Sequence, residues 1–107
     1  MTNNYDKIAA RDITKSSAAI YFWIAVASYA YYHKPECSSL LSDEYFDSLC
    51  KKLLDGNAIT VHTKLNHLIN EDRLRAGSLY DVLPHEYPVW LVRFADEFIM
   101  KMEDNLL

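Results

Sequence analysis

The chain has 107 residues, half of them hydrophobic, with two glycines, three prolines and a formal net charge of -4. A chain this short cannot divide its apolar residues between two cores, so one domain follows. The acidic balance leaves no phosphate-neutralising footprint, which excludes sequence-independent binding to duplex nucleic acid as a function class.

Residues 1 to 12 are polar and mixed in charge, with Tyr5, Ile8 and two alanines as anchors, and read as an N-terminal arm that is either frayed or folded into a short helix. Thr14 supplies an N-cap hydroxyl, and strong helical content then runs from about 15 to 33. Pro35 marks the stop, because the residue before a proline avoids the helical region. Tyr21, Phe22, Trp23, Tyr29, Tyr31 and Tyr32 crowd into this one helix, which makes it the centre of the core. Its apolar run from Ala18 to Tyr32 falls short of the ~20 residues that cross a bilayer and ends in tyrosine hydroxyls. Asp6 and Asp12 in the preceding leader speak against a signal peptide. The expectation is a buried helix in a cytoplasmic protein without membrane contact.

Ser42 then caps a second helix whose first turn carries Asp43 and Glu44, suited to the positive end of the helix dipole. Phe46, Leu49 and Leu53 repeat at helical spacing, Lys51 and Lys52 sit near the end, and Gly56 follows as a C-cap. Ala58 to Val61 reads as a connector into a helical turn around Thr63 to Leu68. Asn70 caps a short helix, Glu71 to Ala76, that Gly77 ends. Pro84 and Pro88 bracket a loop, and a last helix runs from Val89 to about Asp104 with Trp90, Leu91, Phe94, Phe98 and Met102 as its apolar stripe. The predicted fold class is all-α, with residues 13 to 107 as a small single-domain bundle of about three long helices plus short helical turns. Trp23, Ile24, Leu49, Leu53 and Phe94 are expected to share its core.

Neither Cys37 nor Cys50 belongs to a Cys-x-x-Cys or Cys/His pattern, and both read as free thiols. His33, His62, His67 and His85 lack the His-Glu-x-x-His spacing that aims two ligands and a base from one helical face, so no metal site is predicted. No nucleophile, base and oxyanion donor assemble from the sequence; His33 beside Tyr32 and the Asp43/Asp47 pair are the nearest approach.

One constellation stands out: Tyr29-Ala30-Tyr31-Tyr32, a loop containing Pro35-Glu36, and then Ser42-Asp43-Glu44-Tyr45-Phe46-Asp47-Ser48-Leu49. Two aromatics at a helix end can stack on a planar ring, and carboxylates one turn apart share a face from which they can accept from ribose hydroxyls or meet a ring's positive charge. The motif resembles the small N-terminal helical domain of NAD-dependent bacterial DNA ligases, where a Tyr-x-Tyr-Tyr or Tyr-x-Tyr-His helix end leads through Pro-Glu to Ser-Asp-x-Glu-Tyr-Asp-x-Leu. That resemblance covers a ligase-like helical pair at about 15 to 56 and implies that Tyr31, Tyr32, Asp43, Phe46 and Asp47 hold the nicotinamide mononucleotide (NMN) half of NAD. Phe46 stands where the family has tyrosine, and the loop between Tyr32 and Asp43 is longer than usual. Lys52-Leu53-Leu54-Asp55-Gly56 is not the Lys-x-Asp-Gly adenylation motif, so ligase activity is not expected from this chain. Residues 57 to 107, with His62, Lys64, His67-Leu68-Ile69, Glu71-Asp72 and Tyr87-Pro88, resemble the remainder of small phage-borne proteins related to such ligases.

The leading expectation is therefore a non-catalytic binding module, of phage or mobile-element type, that engages a host or phage macromolecule and requires no cofactor. The alternative is a protein that binds or sequesters NMN or NAD, or assists a separately encoded ligase. Because the central helix is apolar around most of its circumference, a protein partner or a homodimer is expected to cover part of it.

Overall fold

A computed structural model of the chain describes residues 4–16, 18–34, 39–55, 65 and 67–104. They form an all-α domain of five helices: α1 (Asp6–Lys15), α2 (Ala19–His33), α3 (Asp43–Leu54), α4 (Glu71–Ala76) and α5 (Val89–Glu103). A short 3-10 turn, Pro84–Glu86, precedes α5.

The apolar character of α2 sets the architecture. Ile20, Tyr21 and every residue from Trp23 to Ala30 are buried, and α1, α3 and α5 all pack against this one helix. Its hydrophobic circumference is thus covered from within the chain. The other helices show one buried face each: Leu49, Cys50 and Leu53 on α3, and Leu91, Ala95, Ile99 and Met102 on α5.

Several local signals act as expected. Ser42 has extended backbone and its Oγ accepts from Tyr45 N at 3.2 Å, while Asp43 and Glu44 occupy the first turn of α3. Asn70 Oδ1 accepts from Arg73 N at 2.8 Å, and Gly77 closes α4 at φ +69, a left-handed conformation that favours glycine. Gly56, the connector at Ala58 to Val61, and half of the turn at Thr63 to Leu68 lie outside the described residues, although Leu65 and Leu68 are buried.

Two expectations are corrected. Thr14 does not cap α2: it lies in the last turn of α1, where its hydroxyl donates to Arg11 O at 2.6 Å, and the chain breaks at extended Ser16 before α2 begins. Residues of the N-terminal arm form a fourth substantial helix, docked by buried Tyr5 and Ala9. The second correction concerns Phe94, which is 44% exposed. The face that α5 turns inward runs through Leu91, Ala95, Ile99 and Met102, so Trp90 and Phe94 fall to one side of it. There they form a half-covered aromatic ridge against Phe22, with Phe22 and Trp90 stacked at 6.3 Å and Phe94 edge-on to Phe22 at 5.6 Å.

Candidate functional site

Where the end of α2 meets the beginning of α3, a pocket of about 300 Å³ opens. It is lined by Tyr31, Tyr32, Asp43, Phe46 and Asp47, all five residues singled out in the sequence. The volume lies at the small end of the range for ligand sites and suits one ring with its substituents.

The construction follows from helical spacing. Ala27 and Ser28 lie one turn before Tyr31 and Tyr32 on α2, so two small side chains form a hollow beneath two large ones. The Tyr31 and Tyr32 rings meet edge to face, with centroids 4.9 Å apart, and Tyr31 is 54% exposed. A ligand ring can therefore reach its face. Across the opening, Asp43 and Asp47 stand one turn apart on α3, both exposed, with half-buried Phe46 beside them.

Four features of the site escape a reading of the motif alone. Ser39, Leu40 and Leu41 supply part of the wall, and they are held by the N-terminal helix region: Tyr5 N donates to Leu40 O at 2.8 Å, and Asp6 accepts from Ser42 N at 2.9 Å and from Ser42 Oγ at 2.7 Å. Gly77 and Ser78, from the second half of the chain, close another side. A Cβ at position 77 would stand 3.3 Å from Asp47 Oδ1, so glycine there serves both the left-handed turn and the room for that carboxylate. Ser28 is buried, and its Oγ has no hydrogen-bond partner among the described residues. Of these, only Gly77 left a signal in the sequence, as the residue that ends the helix capped by Asn70.

Other chemistry-bearing groups lie elsewhere. His33 does not line the pocket; its Nε2 donates to Val82 O at 3.0 Å, and its ring packs against Tyr29 and Tyr87. Burial, reinforced by the charge of Asp47, pushes the Cys50 thiol up to about 11, so it is neutral near physiological pH and a poor nucleophile. Burial likewise holds the Tyr87 hydroxyl well above the usual tyrosine range. Among the described residues, no group of three or more His, Cys, Asp or Glu is arranged to hold a metal ion, and no helix is long and apolar enough to cross a membrane. Set against protein-family models, curated proteins and solved structures, the chain matches none of them.

Proposed function

We propose that the chain is a non-catalytic binding module whose pocket receives the nicotinamide ribosyl group of NMN or NAD. The observation that carries this reading is the convergence of Tyr31, Tyr32, Asp43, Phe46 and Asp47 on one pocket from two separate helices. It favours the small-ligand alternative over engagement of a macromolecule at this site. An electron-rich tyrosine face attracts a pyridinium ring, and the two carboxylates can accept from ribose hydroxyls. Among the described residues of the lining, no hydroxyl is hydrogen-bonded to a carboxylate or histidine, which supports a site that holds a ligand without transforming it.

Phe46 lacks the hydroxyl that the ligase-like motif carries at this position. Phe46→Tyr is expected to tighten NMN binding in a calorimetric titration by ~0.5 to 1.5 kcal/mol, the usual net value of one hydrogen bond. Asp43→Ala is expected to weaken it by ~1.5 to 3 kcal/mol, since a charged acceptor is lost. If Phe46→Tyr binds no better and Asp43→Ala no worse than the wild type, the pocket is not a nicotinamide site.

A second reading, a protein partner or a second copy of the chain, is favoured by the ridge of Trp90 and Phe94, which are 38% and 44% exposed. The covering surface is thus sought on α5 rather than on α2. Light scattering is expected to show a concentration-dependent dimer that Trp90→Glu dissociates. A strict monomer at high concentration removes the homodimer.

A further inference from the structure

The pocket wall formed by Ser39, Leu40 and Leu41 belongs to no helix, and residues outside the pocket hold it in place. Tyr5 N donates to Leu40 O at 2.8 Å. The Asp6 carboxylate accepts from Ser42 N at 2.9 Å through one oxygen and from Ser42 Oγ at 2.7 Å through the other. The segment from Leu40 to Ser42 is thus fastened at both ends to neighbouring residues at the start of α1. Asp6 does not itself line the pocket, so it acts from behind the wall.

The same carboxylate sets the cap of α3. A serine hydroxyl has one hydrogen and two lone pairs. With its hydrogen directed at Asp6 Oδ2, Ser42 Oγ keeps a lone pair for Tyr45 N, which donates to it at 3.2 Å. Tyr45 lies between Asp43 and the Phe46 and Asp47 that line the pocket with it. A chain of hydrogen bonds from Asp6 through Ser42 to Tyr45 therefore joins α1 to the part of α3 that presents three lining residues.

With ten residues, α1 is too short to hold as a helix in water by itself, so it forms as it docks. Tyr5 docks it with its ring 5.7 Å from Trp23 and 4.7 Å from Phe98, and Asp12 accepts from Trp23 Nε1 at 3.1 Å. On the reading that the pocket takes a nicotinamide ribosyl group, we propose that Asp6 is a positioning residue through which docking of α1 and occupation of the pocket strengthen each other. When α1 undocks, Ser42 N loses its acceptor and Ser42 Oγ the partner that orients it, so the wall and Asp43 lose their fixed places. By linkage, the factor that undocking removes from ligand affinity is the factor that bound ligand adds to docking.

Calorimetric titration of the full chain with NMN tests this linkage. Asp6→Ala is expected to bind NMN about tenfold more weakly than the wild type, at a temperature where circular dichroism shows both to be folded. Asp6→Asn should return to within about threefold, because its amide oxygen can accept from Ser42 N and its amide nitrogen can donate to Ser42 Oγ. The reciprocal effect is read on the wild type and needs no variant to fold: saturating NMN should slow amide hydrogen exchange in α1 by about the same factor of ten. If Asp6→Ala binds NMN as tightly as the wild type, or if exchange in α1 is unchanged while the wild type binds NMN, the linkage is overturned and the nicotinamide pocket stands. Asp6→Asn binding as weakly as Asp6→Ala overturns the positioning role in favour of the charge of the carboxylate. Silence from the wild type at millimolar NMN overturns the pocket reading and the linkage with it.

Discussion

Trp23→Ala is expected to destabilise the domain by about 3 to 5 kcal/mol, the range for removing a large buried aromatic side chain. Trp23 is 1% exposed at the point where α1, α2 and α5 meet. Its ring stacks on Phe98 at 5.3 Å and 10°, meets Phe22 edge-on at 5.4 Å, and lies 5.7 Å from Tyr5. Its Nε1 donates to Asp12 Oδ2 at 3.1 Å, which ties α1 to α2. Folded domains are stable by only ~5 to 15 kcal/mol in total, so this single change removes a large share. Trp23→Phe separates the two contributions, because it keeps an aromatic ring and loses the hydrogen bond to Asp12. Its cost should be smaller, since part of the ring stacking survives. Chemical denaturation of the three proteins checks the order, and a midpoint for Trp23→Ala equal to that of the wild type would refute the packing.

The same contacts explain which parts of the fold were legible in the sequence. Helices with their own capping chemistry could be read directly: Ser42 with Asp43 and Glu44 opens α3, and Asn70 and Gly77 bound α4. Local hydrogen bonds determine those ends, so a local reading suffices. The N-terminal helix was harder because its stability is not local. Its N-cap, Tyr5, makes no side-chain cap bond; Tyr5 is instead buried against Trp23 and Phe98, and Asp6 bonds to Ser42, thirty-six positions away. No periodicity within residues 1 to 12 announces such partners.

The orientation of α5 was illegible for a related reason. Its apolar residues cover more than one face, and the sequence does not say which is turned inward. Small Ala95 lies on the buried face, which lets α5 sit close to its neighbours, while the bulkier Trp90 and Phe94 are left at the margin. The pocket shows the same division. Its α2 and α3 walls follow from the motif and from helical spacing, whereas Gly77 and Ser78 reach it only through tertiary packing of α4 on α3.

Leu53→Ala is the complementary test, because it separates what supports the domain from what forms the pocket. Leu53 is fully buried on the inward face of α3, in line with Leu49 and Cys50, near the end of the helix remote from the pocket. At ~1.5 Å rise per residue it lies about 15 Å along α3 from Asp43. Truncation to alanine should cost about 2 to 5 kcal/mol, depending on how far the surrounding helices close over the cavity. For a domain of this size each kcal/mol lowers the melting temperature by ~4 to 8 °C, so the shift is readily measured. Affinity for NMN, titrated well below the lowered transition, should stay within about twofold of the wild type, since distant sites perturb one another little. An unchanged melting temperature would mean that Leu53 does not carry the packing between α3 and α2. A folded variant that loses the ligand would mean that the pocket depends on the whole length of α3 rather than on its first turn and the end of α2.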